Sequence, residues 1–184
     1  MIQHEDIEGL AVIQSAEIEK PFSELAKVVG DVNIIELGTA AGGFSVFLAK
    51  IFKQKIYTFD TRDIGNRKDI FKKYNIEFKL CDVLNTNTIK ELIEQDKPCL
   101  LLCDNGHKIT EFNKFAGYLK SGDIIMAHDY CQSIEYYYKY VNSKHWNYCE
   151  ITDEHIIDSC KRYNLLPFMQ EIFINVAWKI CKKF

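Results

Sequence analysis

The run Asn33-Ile34-Ile35-Glu36-Leu37-Gly38-Thr39-Ala40-Ala41-Gly42-Gly43 constrains the fold more than any other stretch of the chain. An apolar strand pattern closes on Gly38. A helical pattern with Phe44, Phe47, Leu48 and Ile51 on one face begins directly behind it. Strand, glycine turn and helix in that order form the corner of a doubly wound α/β sheet, where a nucleoside ligand binds. The spacing narrows the ligand. A pyrophosphate turn reads G-x-G-x-x-G, because backbone must approach the phosphates closely. Here its second glycine is Ala40, and no Lys-Ser/Thr pair follows. The pattern E-x-G-x-x-x-G suits a ligand with a nucleoside and a carboxylate but no phosphate. An ordinary strand–turn–helix corner is the alternative.

Strand and helix patterns alternate along the whole chain, which predicts a parallel sheet covered on both faces. Strands are expected at Asn33–Leu37, Lys55–Asp60, Glu77–Asp82, Cys99–Asp104 and Asp123–Ala127, and a terminal hairpin at Leu165–Met169 and Asn175–Cys181. The fold class is therefore α/β, a doubly wound (Rossmann-like), mostly parallel seven-stranded sheet ending in an antiparallel hairpin. Residues 1–184 read as one domain. Residues 1–30 read as an N-terminal helical or lid segment, with a helix over Pro21–Val29. Ile134–Val141 reads as a helix whose tyrosines pack on two faces, and Lys179, Lys182 and Lys183 as a solvated terminus.

A net charge of −3 argues against nucleic acid as the main partner, since phosphates demand clustered Lys and Arg. No apolar run approaches the roughly 18 residues of a membrane span. The N-terminus lacks a cationic stretch followed by an apolar one, so a cytoplasmic location is expected. The seven cysteines are odd in number and scattered without a C-x-x-C, which reads as thiols rather than disulfides or a zinc site.

Ligands of open α/β sheets sit beyond the carboxyl ends of the strands. At four of those ends the sequence places Asp60, Asp82, Asp104 and Asp129. Asp60 lies at the spacing from Gly38 at which a carboxylate accepts ribose hydroxyls; a strand-end cap is the other reading. Asp82 and the Val83 backbone are placed to read a base edge, or else form a turn. Backbone amides from Thr39 to Gly43 open a helix and can hold a carboxylate. Asp104-Asn105-Gly106-His107 and His128-Asp129 end neighbouring strands, which brings two carboxylates and two imidazoles together. A divalent cation would relieve the repulsion and acidify a bound hydroxyl. A histidine could then take the proton.

At these residues the chain resembles the class I S-adenosylmethionine (SAM) methyltransferases, in particular the cephalosporin-hydroxylase-type and macrolide sugar O-methyltransferase group. The likeness begins at Gly9-Leu10-Ala11-Val12-Ile13-Gln14, a G-x-x-x-x-Q segment. It runs through Ile35–Gly43 and returns at Asp104–His107, Leu119–Asp123 and His128-Asp129. The resemblance implies SAM held by Glu36, Gly38, Thr39, Ala40, Gly42, Gly43, Asp60, Asp82, Val83 and Asp104. It implies His107 as general base and Mg²⁺ on Asp104 and the acidic pair after the fifth strand. That pair's first member is usually Glu. Here it is His128, a ligand better suited to Mn²⁺, Fe²⁺ or Zn²⁺ than to Mg²⁺. The expected activity is methylation of a small-molecule hydroxyl, on a sugar or another metabolite. An NAD-dependent oxidoreductase and a non-catalytic SAM-binding scaffold are the alternatives. Acceptor contacts are expected from residues 1–20, from 130–150, or from a second subunit of a homo-oligomer.

Overall fold

The computed structural model describes residues 2–144 and 146–184. Met1 and His145, within the expected segments 1–30 and 130–150, lie outside the described residues. The chain opens as a hairpin, β1 (Ile2–Ile7) against β2 (Leu10–Ser15), followed by α1 (Glu19–Val29). Glu8 and Gly9 both take positive φ at the turn, the backbone that tight hairpins require. The first half of the expected helical segment is thus a β-hairpin. Its register is set by a non-local contact: Leu10 and Val12 are buried in the main core.

The doubly wound unit follows: β3 (Asn33–Leu37), α2 (Gly43–Phe52), β4 (Ile56–Asp60), α3 (Lys68–Lys73), β5 (Ile76–Leu80), α4 (Thr88–Ile93), β6 (Cys99–Cys103), α5 (Lys108–Phe115) and β7 (Ile124–His128). A short parallel pair, β8 (Tyr130–Cys131) and β9 (Ile151–Thr152), brackets a helical turn α6 (Ile134–Tyr136) that continues as a π-helix over Tyr137–Val141. The chain ends with α7 (Asp153–Arg162), β10 (Leu165–Pro167), α8 (Gln170–Phe173) and β11 (Trp178–Lys183).

The main sheet has seven strands in the order β10-β11-β7-β6-β3-β4-β5. β3, β4, β5, β6 and β7 run parallel, and β11 pairs antiparallel with both β7 and β10. β3 and β6 are buried at every position, as central parallel strands must be. Alternate residues of β3 feed two cores: Ile34 packs with α1 and α2, and Ile35 and Leu37 with α4 and α5. From β3 the chain winds outward through β4 and β5, then returns to β6 on the other side. This switch point between β3 and β6 is where such sheets bind ligands. Among the described residues no helix is long and apolar enough to cross a membrane.

Two surface expectations fail. Of the tyrosines in Ile134–Val141 only Tyr137 is buried, while Tyr136, Tyr138 and Tyr140 are exposed. Lys179 is buried, donating to Asp153 at 2.6 Å, because antiparallel pairing to β7 draws it into the sheet.

Candidate active site

The β3 and β6 ends nearly touch. The Asp104 amide donates to Leu37 O at 2.9 Å. A Cβ on Gly38 would lie 2.5 Å from the Asp104 carbonyl oxygen, and its φ is +104°. No side chain fits there. Gly38→Ala is expected to lower folding stability by about 3 kcal/mol or more, read by urea denaturation, because clash adds to backbone strain.

The turn is built on hydrogen bonds of its own. Gly38 and Thr39 amides donate to Phe59 O, and the Gly42 amide to Thr39 O. Ala40, at φ +46°, donates its amide to Asp60 Oδ2 at 2.9 Å. Among the described residues this leaves the Ala41 amide on the cavity wall for a ligand carboxylate, fewer than the full Thr39–Gly43 set. Gly43 itself packs under β2, where a Cβ would meet Ala11 O at 2.4 Å. The hairpin therefore roofs the start of α2.

Glu36 lies beneath the turn rather than on its surface. It is fully buried, accepts from the Ser45 hydroxyl and from Thr58 Oγ1 (2.5 Å), and its other oxygen has no partner among the described residues. Burial pushes its carboxyl up to about 8, outweighing the two hydroxyl donors.

A cavity of about 260 Å³ opens beside the turn, lined among others by Gln14, Gly38, Ala40, Asp104, His128 and Trp146. Thr39 and Gly42 also line it. Asp104, His128 and Asp129 converge on it, with one donor atom from each within 4.8 Å of the others. Asp104 Oδ1 stands 2.9 Å from His128 Nδ1 and Asp104 Oδ2 accepts from Gln14 Nε2 at 2.8 Å. Gln14 Oε1 in turn accepts from the Trp178 indole at 3.0 Å. His128 is held between Trp146 and Trp178, with ring centroids 4.9 and 4.8 Å away. Its Nε2 is buried and has no partner among the described residues. Burial works against the imidazolium, but Asp104 and Asp129 outweigh it and raise the His128 pKa above its ordinary 6.5.

Asp129 takes φ +55°, an uncommon backbone for a non-glycine residue. Its oxygens accept from Trp146 Nε1 at 2.6 Å and from Lys108 Nζ at 2.8 Å. Lys108 also bridges to Glu150 at 2.8 Å. Burial favours its neutral form, yet Asp104 and Asp129 prevail and hold it as an ammonium.

The other expected residues stand apart. His107 is exposed at the start of α5, outside both the cluster and the pocket wall. The helix turns Lys108 inward in its place. Asp82 is exposed and caps its own turn, accepting from the Leu84 amide and Asn85 Nδ2. Val83 is in the core. Asp60 is buried, tied to the Ala40 amide and to Arg62 N and Nε. Burial raises its carboxyl, but these donors prevail and hold it below the usual range. Sequence reasoning missed Lys108, Trp146 and Trp178 as site residues. Gln14 carried a signal, since it closes the G-x-x-x-x-Q segment.

Asp104, His128 and Asp129 could hold a divalent cation only by giving up contacts within the protein. All four oxygens of Asp104 and Asp129 already face donors of the protein, and the ammonium of Lys108 occupies the space beside Asp129.

The sheet order and the glycine turn at its switch point give a Rossmann-like α/β methyltransferase fold, and the family match makes the chain a SAM-dependent methyltransferase. The chain belongs to the FtsJ-like methyltransferase family, whose model matches residues 15–141. Among solved structures, CmcI with Mg and SAM superposes with a TM-score of 0.68 at 16% identity, over 98% of this chain and 76% of that one. The apo structure of CmcI gives 0.68 at 17% identity, over 97% and 76%. Geranyl diphosphate C-methyltransferase from Streptomyces coelicolor, with Mg²⁺, geranyl diphosphate and S-adenosyl-L-homocysteine (SAH), gives 0.52 at 12%, over 90% and 79%. At these identities the likeness is one of fold. No curated protein matches.

Proposed function

We propose that this enzyme methylates a hydroxyl of a small molecule, with His128 as the general base and Asp104 as the residue that orients it. One observation carries the reading: Asp104 engages His128 Nδ1 and leaves Nε2 buried without a partner, ready to accept once a bound hydroxyl reaches it from the cavity that the side chain lines beside Gly38.

The residues present fit SAM in kind. Gly38 leaves a space that a Cβ would fill, Ala41 offers an amide at a helix N-terminus, and Asp60 faces the turn from the next strand. When bound, SAM supplies an electrophilic methyl on a sulfonium. The cavity, at about 260 Å³, is below the roughly 300–1,000 Å³ of typical ligand sites. A nucleoside reaching Asp60 displaces Arg62, whose side chain is largely exposed, and the Arg67 contact to Ala40 O.

An acceptor hydroxyl aligned on that methyl would give up its proton to His128 Nε2. Asp104 fixes the tautomer through Nδ1 and stabilises the imidazolium that forms. Gln14 and Trp178 hold Asp104 and the imidazole in that geometry, and Lys108 neutralises Asp129.

Because protein donors already satisfy both carboxylates, transfer is expected to survive exhaustive chelation. The assay is incorporation of labelled methyl from SAM into a panel of phenols and methyl glycosides, before and after chelator. Loss of transfer with recovery on adding Mg²⁺ or Mn²⁺ would show that a cation displaces Lys108.

A further inference from the structure

Next to the cofactor cavity lies a second one of about 510 Å³, within the range of small-molecule sites. Ser15, Tyr130, Tyr136, Tyr140, Trp146 and Asn175 contribute to its wall. Trp146 belongs to both cavities. Its ring packs on His128 and its indole N–H holds Asp129. The two spaces therefore adjoin across one side chain, on the side where the proposed base stands.

Two features set this wall apart from ordinary surface. Tyr136 and Tyr140 are 36% and 46% exposed, and their rings lie 4.8 Å apart. Both belong to a segment that turns from α-helix into π-helix, a distortion frequent at functional sites. A run of exposed aromatics costs solubility with no return in core packing. Among the described residues the only charge on the wall is Glu17, which repels phosphates and carboxylates.

We infer that this aromatic cavity is the acceptor site and takes an uncharged ring compound carrying a hydroxyl at its edge. The inference rests on the hydroxyl-methylation reading and names its substrate class. The ring face lies on Tyr136 and Tyr140, since the negative faces of aromatic rings attract C–H groups and ring edges. Ser15 and Asn175 hydrogen-bond the polar edge, and the reacting hydroxyl is directed past Trp146 toward His128. Both an aryl ring and a pyranose present such a face, so phenol and methyl β-glucopyranoside serve as separate probes. Phenyl phosphate is the charged control.

The test is quenching of tryptophan fluorescence in the SAH-loaded full chain, with SAH affinity measured in parallel by calorimetry. At least one neutral probe is expected to bind, and phenyl phosphate to bind at least tenfold more weakly. Tyr140→Ala is expected to weaken the neutral probe at least tenfold and Tyr140→Phe to restore it, both with SAH affinity unchanged. Normal SAH binding with no neutral probe bound, or with equal binding to Tyr140→Ala, overturns the acceptor site alone. Failure of the wild type to bind SAH overturns the methyltransfer reading beneath it.

Discussion

Replacing His128 by Gln is expected to lower methyl transfer by about 10²–10⁴-fold, the usual contribution of a positioned general base, while SAH affinity stays within a few-fold. Gln is close in size and can still bond Asp104, so the packing between Trp146 and Trp178 survives. It cannot accept a proton at pH 7. The wild type adds an independent check. Asp104 and Asp129 raise the His128 pKa against the effect of burial. The catalytically competent form is the neutral imidazole, whose fraction grows as pH rises through that raised value. The rate kcat/KM is therefore expected to climb with pH and level off, with its midpoint above 6.5. His107→Ala, at an exposed position off the cavity, is expected to change neither the rate nor the midpoint. A profile that His107→Ala flattens and His128→Gln leaves intact would return the base to His107.

The second large effect is on stability. Glu36 and Glu111 are both fully buried, and their carboxyls are pushed up to about 8, chiefly by burial. Unfolded, each ionises near 4.5. Between those values the unfolded chain releases protons that the folded chain keeps. Folding stability must therefore fall as pH rises from about 4.5 to about 8, by up to roughly 4 kcal/mol per group. Glu36→Gln keeps the shape and an acceptor for Ser45 and Thr58. It should flatten the slope and make the protein more stable at pH 8 by about 1–3 kcal/mol. Urea midpoints at pH 5, 7 and 8.5 decide it. An unchanged slope would mean that Glu36 is ionised under the turn.

The central sheet could be read from the chain because its signals are local. Asn33–Leu37 is a strand to the residue, and Cys99–Cys103 differs from the expected strand only at its last position. An unbroken apolar run followed by a glycine turn leaves little choice. The N-terminal hairpin could not be read so. Its second strand is fixed by Leu10 and Val12 reaching the core and by Ala11 lying on Gly43, contacts between residues over 30 positions apart. The site follows the same division. Strand topology was enough to bring Asp104, His128 and Asp129 together. Which way each neighbour points was not legible. His107 and Lys108 are adjacent, and the first turn of α5 decides that the lysine faces inward. Asp82 and Asp60 sit near the expected strand ends, but whether a carboxylate serves a ligand or its own turn depends on hydrogen bonds that spacing does not record. The buried aromatic cage of His128 joins residues 128, 146 and 178: the antiparallel return of β11 sets Trp178 beside it, and the segment before β9 brings Trp146.

A crystal structure of the full chain with SAH tests the whole account most directly. SAH is expected between the Gly38–Gly42 turn and the β2 roof, its amino acid end at the Ala41 amide, its ribose on Asp60 with Arg62 swung out, and its sulfur toward His128. SAH bound with its sulfur turned away from His128, or Lys108 displaced by a cation between Asp104 and Asp129, would contradict it.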